Sequence, residues 1–223
     1  MKQAKALLFD LDGTLIDSEI WHYHCWNNLL GSFGKHLDHD LYMQQYSGVS
    51  LEKNATRLVN EFSLDVSIPR FIEMREALML QTFKNDSIEH MPYASQIIEH
   101  YRRLNVPMAL ITSSSQEEVE VVLCKMGMHN VFDKIVSRTD VKNFKPHPEP
   151  YQRGVELLGF TTHQCIAIED ALPGIQSAKA AGLMCIAVQD KLYHEFQQAA
   201  LADVVCHDLM EAQQFISQHY QFV

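Results

Sequence analysis

Lys5-Ala6-Leu7-Leu8-Phe9-Asp10-Leu11-Asp12-Gly13-Thr14 is the stretch on which the fold of this 223-residue chain turns. Lys5 to Phe9 is a short, mostly apolar run that reads as a buried strand. An acid follows it at once, a second acid lies two residues on, and Gly13 permits the turn that comes next. Positions i and i+2 of an extended chain share one side, so Asp10 and Asp12 can address the same atom.

Working outward, Ser18 is expected to cap a helix running to about Phe33, with Gly34 as its stop. Helical segments follow near Leu51 to Phe62 and Pro69 to Phe83, and nothing between Ile16 and Ile88 reads as a central strand. After Met91 apolar runs alternate with helices. Val106–Thr112, Lys134–Val136, Cys165–Ile168, Leu183–Val188 and Asp203–Val205 read as strands. Gln116–Met126, Glu149–Leu158, Gly174–Ala181 and Asp208–His219 read as helices, the first three followed by Gly127, Gly159 and Gly182. Strands separated by helices imply parallel crossovers. The expected fold is α/β, a doubly wound, Rossmann-like, mostly parallel sheet core with an inserted all-helical cap. The core takes residues 1–15 and 89–223, and the cap takes residues 16–88.

An open parallel sheet places its ligand site at the carboxyl ends of its strands. Each expected central strand ends there in a polar group: Asp10 and Asp12, then Thr112-Ser113-Ser114, then the loop with Lys145-Pro146, then Glu169-Asp170. Each has a plainer reading by itself. Asp12-Gly13 makes a turn, Thr112-Ser113-Ser114 can cap the next helix, Lys145 reads as a surface lysine, and Glu169-Asp170 suits a helix start. Taken together they place four carboxylates, a hydroxyl and one ammonium in one pocket. Two like charges 4 Å apart repel by about 4 kcal/mol at an effective dielectric of 20. One lysine does not balance that set, so a divalent cation is implied, and hard carboxylate oxygens favour Mg²⁺. A carboxylate beside such an ion can attack phosphorus, and a second can serve as acid and base.

Composition excludes other classes. Hydrophobic residues are 47% and charged residues 21%, ordinary for a globular chain, and the net charge of -10 disfavours nucleic acid and anionic membranes. Five widely spaced cysteines without a Cys-x-x-Cys pair read as reduced thiols of a cytoplasmic protein. Neither a signal peptide nor a membrane span is expected.

Phe9-Asp10-Leu11-Asp12-Gly13-Thr14, Leu110-Ile111-Thr112-Ser113, Lys145-Pro146-His147-Pro148 and Ile168-Glu169-Asp170-Ala171-Leu172-Pro173-Gly174, in this order, resemble the four motifs of the haloacid dehalogenase superfamily. The helical insert resembles the cap of the subfamily containing β-phosphoglucomutase and small sugar phosphatases. The resemblance implies that Asp10 is the nucleophile and Asp12 the general acid and base. It implies that Thr112, Ser113 and Lys145 hold the phosphoryl group. Mg²⁺ would be held by Asp10, the backbone carbonyl of Asp12, and Asp170, with Glu169 assisting. His22 matches a cap-hinge histidine of the mutase. The implied activity is hydrolysis of a small phosphorylated metabolite, such as a sugar phosphate, with no obligate protein partner.

The alternatives are a mutase-like phosphotransferase and, from another class, an idle binding protein. The mutase needs cations for a second phosphate, where this chain has Leu51 and Glu76, and an idle protein is expected to have lost part of the acid set. Lys53, Arg57, Arg75 and Lys84 can reach a substrate from the insert, although a solvated helix face is the ordinary reading for each. Where the family carries glycine at the start of the returning core segment, this chain has Tyr93.

Overall fold

The computed structural model describes residues 2–188 and 201–222. The chain divides into two compact units, one running to Asp17 and resuming at Glu89, the other spanning Ser18–Ile88.

The first unit begins with β1 (Lys2–Ala4) and β2 (Ala6–Phe9). Lys5 lies between two strands rather than at the start of one. β1 leaves the main sheet and pairs in parallel with the last strand of the chain. After the insert come α5 (Ala94–Arg103), β3 (Met108–Ile111), α6 (Gln116–Lys125), β4 (Lys134–Val136) and α7 (Glu149–Leu158). Then follow β5 (Cys165–Glu169), α8 (Leu172–Ala180), β6 (Met184–Val188), β7 (Val204–Cys206), α9 (Leu209–His219) and β8 (Tyr220–Phe222). The main sheet runs β4-β3-β2-β5-β6-β7 with every pairing parallel. Its central strands are buried along their whole length, as continuous apolar runs such as Met108-Ala109-Leu110-Ile111 require.

Helix α5 escapes a reading based on turn residues, because its N-terminal flank is Tyr93 at φ 65°. That left-handed conformation suits glycine and is strained for tyrosine. Helix α6 is capped by Ser115, not by Thr112: the Ser115 hydroxyl accepts from the Glu118 amide while Glu118 reaches back, a complete capping box.

The second unit is all-helical, with α1 (Glu19–Gly31), α2 (His39–Gln45), α3 (Leu51–Glu61) and α4 (Ile68–Asn85) inserted after β2. Its core is aromatic, with Trp26 stacked on Phe71 at 5.7 Å between ring centres and Tyr42 and Tyr46 buried beside them. The expected Ser18 cap does not form: the hydroxyl is buried without a hydrogen-bond partner, and α1 ends two residues earlier than its apolar pattern implies. The short α2 is capped by Asp38, which accepts from the amides of Asp40 and Leu41. Among the described residues no helix is long and apolar enough to cross a membrane.

Candidate active site

The register of three neighbouring strands builds the site. Phe9 pairs with Leu110 on one side and Ile168 on the other, so Asp10, Thr112 and Glu169 emerge from one edge of the sheet. The amide of Asp10 donates to the Ile168 carbonyl (3.0 Å), and that of Thr112 to the Val136 carbonyl (2.9 Å). These bonds carry the ladder into Asp10 and Thr112 themselves.

Lys145 reaches this edge from the loop before α7, next to a cis Lys145–Pro146 bond. Its ammonium donates to Asp10 Oδ1 (2.6 Å), Glu169 Oε1 (2.6 Å) and the Ile111 carbonyl (2.9 Å). Asp10, Lys145 and Glu169 are all buried, so the surface-lysine reading fails. The loop that delivers the lysine is tied back by Glu149, which accepts from the amides of Lys142 and Asn143 and from the Asn143 side chain.

Asp170 stands beside Glu169 and accepts from the Thr14 hydroxyl (3.1 Å). Gly13, at φ 82°, is where the chain turns past it; a Cβ there would collide with the Asp170 carboxylate. Gly174 bears the same relation to the Glu169 carboxylate. Both glycines leave the space that the acids occupy. Asp12 turns its Oδ2 to Ser114 Oγ, which donates at 2.6 Å, and to Thr112 Oγ1 at 3.5 Å. Thr112 Oγ1 in turn accepts from the Ser114 amide (3.0 Å). Ser113 is exposed.

The electrostatics are those of an acid cluster short of positive charge. Burial and the neighbouring Glu169 push Asp10 up to about 8, against the pull of Lys145. Burial, then Asp10 and Glu169, raise Asp170 well above the carboxylate range. Burial works against the charge of Lys145, but Asp10 and Glu169 outweigh it and hold its pKa above that of a free lysine. Asp10, Glu169 and Asp170 offer oxygens that all lie within 4.8 Å of one another. A largely buried all-oxygen set with excess negative charge fits a divalent cation.

The structure therefore gathers Asp10, Asp12, Thr112, Lys145, Glu169 and Asp170 in one unit. His22 belongs to the helical unit, in the first turn of α1, where its Nδ1 meets an Nη of Arg75. Arg75 is not on a solvated face: it is buried, with its guanidinium 5.4 Å from the Trp26 ring centre. Arg57 is half-buried and held by Glu61 and Gln45, and Lys53 and Lys84 are exposed. Two contributors went unread in the sequence, Thr14 and Tyr151, and Ser114, named there only as part of a polar strand end, is the partner of Asp12. Thr14 and Ser114 lie within or beside the motifs and so carry a positional signal; Tyr151 looks like packing.

The sequence profile described as haloacid dehalogenase-like hydrolase matches residues 7–188. The chain is similar to the fructose-1-phosphate phosphatase YqaB of Escherichia coli, with 32% identity over 188 residues, covering 82% of this chain and 96% of that one. It is also similar to the phosphorylated carbohydrates phosphatase of Thermotoga maritima, with 27% identity over 80% of this chain and 82% of that one. Its fold is that of the β-phosphoglucomutase of Clostridium difficile, with a TM-score of 0.80 and 22% identity, covering 97% of this chain and 96% of that structure.

Proposed function

Since this chain belongs to the haloacid dehalogenase-like hydrolases and is a phosphatase of that family, we propose that it hydrolyses a small sugar phosphate or related phosphomonoester through a phosphorylated Asp10. The observation that carries this is the buried bridge in which Lys145 binds Asp10 and Glu169 at once, beside Asp170.

In this reading Asp10 attacks phosphorus and the bond to the leaving oxygen breaks, giving an acyl phosphate on Asp10 and an alkoxide. Asp12 gives that oxygen its proton. It then takes a proton from the water that attacks the acyl phosphate, which releases phosphate and restores Asp10. Ser114 aims Asp12 for both steps. Lys145 fixes the rotation of the Asp10 carboxylate and opposes negative charge on the phosphoryl oxygens. The Thr112 hydroxyl and the Ser113 amide are suited to receive those oxygens. Asp10, Glu169 and Asp170, with the Asp12 carbonyl, would hold Mg²⁺, which when bound offsets the charge of the acids and of the phosphate.

The sugar-phosphate class is supported by the relatives named above. Hydrolysis is favoured over transfer because Leu51, a hydrophobe, and Glu76, an acid, offer no positive charge for a second phosphate. The test is a panel of hexose, pentose and hexitol monophosphates and one sugar bisphosphate, each with Mg²⁺ and with a chelator. Mg²⁺-dependent phosphate release from monophosphates is expected. Turnover unaffected by chelation, or conversion of the bisphosphate without phosphate release, contradicts the proposal.

A further inference from the structure

We propose that Tyr151 is a positioning residue of the reaction, holding the Glu169 carboxylate in the one orientation that serves both Lys145 and the cation. Its hydroxyl donates to Glu169 Oε1 at 2.6 Å, the oxygen that also accepts from Lys145 at 2.6 Å.

An ammonium has three donors, and those of Lys145 have three acceptors: Asp10, Glu169 and the Ile111 carbonyl. A carboxylate oxygen has two lone pairs, and those of Glu169 Oε1 are taken by Lys145 and Tyr151. The terminal torsion of glutamate is broad, so one hydrogen bond does not set the plane of the group. A second donor on the same oxygen does, and it leaves Oε2 for the cation.

Tyr151 can act as a fixed post because its ring is enclosed on all sides. It is fully buried, in the first turn of α7, six residues beyond Lys145. Gly154, one turn further on, lets that helix lie directly on Ile111 and Leu8; a Cβ there would be 3.2 Å from Leu8 Cδ2 and would collide with Ile111. The helix following the catalytic lysine is thus pressed onto two of the strands that frame the site. In the first turn of α8, Gly174 admits no side chain where the Glu169 carboxylate lies. The carboxylate is held between helices α7 and α8, and without the phenol one side of that hold is lost.

Tyr151 has this role only if Asp10 and Glu169 form the reaction centre proposed above. The test uses the full chain and Tyr151→Phe, which removes one oxygen and keeps the ring. Mg²⁺ alone is titrated by calorimetry, and kcat and KM are measured on a monophosphate that the wild type turns over. Loss of a group that orients a metal ligand weakens metal binding or activity by about 10- to 100-fold. We expect both Mg²⁺ affinity and kcat to fall by about tenfold or more, with KM within about twofold. Tyr101→Phe, a buried tyrosine away from the site, is the control and should leave both unchanged. In a Glu169→Gln background Tyr151→Phe should add less than about twofold, because its effect runs through Glu169. If Mg²⁺ affinity or kcat of a folded Tyr151→Phe stays within twofold of wild type, or if the two changes are additive, the proposal is overturned. If the wild type neither binds Mg²⁺ nor shows Mg²⁺-dependent turnover, the underlying reading fails instead.

Discussion

The ammonium of Lys145 lies 2.6 Å from the Asp10 carboxylate, although 135 residues separate the two along the chain. With Glu169 at the same distance, one cation binds the end of β2 to the end of β5. The contact is at once an element of the fold and the setting of the proposed nucleophile.

Lys145→Met keeps an unbranched apolar stem and removes the ammonium. Breaking a buried ion pair from one side typically costs about 3–5 kcal/mol. Denaturant unfolding of the metal-free variant should show a loss of that order, part of it recovered with Mg²⁺, and turnover should fall by at least about 1,000-fold. A variant of wild-type stability and activity is incompatible with the bridge.

Proton and metal binding should compete. In the metal-free fold Asp10 is raised to about 8, against an ordinary value of 3.8. Its proton is therefore retained by the folded protein through that window, and the stabilisation from protonation, full below 3.8, is lost progressively until the pH has risen through about 8. Mg²⁺ must displace that proton, so its binding tightens with pH by up to about tenfold per unit for each proton released. At one subsaturating Mg²⁺ concentration, the rise in melting temperature should be larger at pH 8 than at pH 6. Equal shifts at the two values contradict this.

Gly13→Ala places a methyl group against the Asp170 carboxylate at a backbone φ of 82°. Strain of this kind costs about 1 kcal/mol or more, and the displaced carboxylate loses its place in the oxygen set. Calorimetry should show Mg²⁺ binding weakened by at least about tenfold, alongside a lower melting temperature.

Much of this arrangement was legible in the sequence for a physical reason. Parallel strands covered on both faces must be continuous apolar runs, so Ala6–Phe9, Met108–Ile111 and Cys165–Ile168 announce themselves, and the polar residue after each is at the sheet edge by construction. What was hidden depends on distant packing. Lys2–Ala4 becomes a strand only because Tyr220–Phe222 lies beside it. Arg75 falls on what reads as an exposed helix face and is buried by its neighbours. Tyr151 occupies an apolar helix position, where nothing in its spacing tells that its hydroxyl meets Glu169. Ser18 shows the converse, a residue type that favours caps in a place where the geometry provides none.

The cysteines offer an independent check of the packing. None is in a disulfide; Cys25, Cys165, Cys185 and Cys206 are buried, and Cys124 is exposed on α6. Burial pushes the Cys165 and Cys206 thiols up to about 12, so they offer almost no thiolate at neutral pH. A thiol-reactive dye should label one equivalent rapidly in the native protein and the other four only on unfolding. Cys124→Ser should abolish the rapid phase, and a second rapid equivalent contradicts the buried assignment.

The most direct test is to measure phosphate release and covalent phosphate on Asp10 together. Wild type is acid-quenched during Mg²⁺-dependent turnover and its peptides analysed by mass, in parallel with Asp10→Asn. The expected result is a phosphate on the peptide bearing Asp10 in wild type, none in the variant, and turnover of the variant reduced by at least about 1,000-fold. An Asp10→Asn enzyme that releases phosphate at close to the wild-type rate would contradict the assignment of Asp10 as nucleophile.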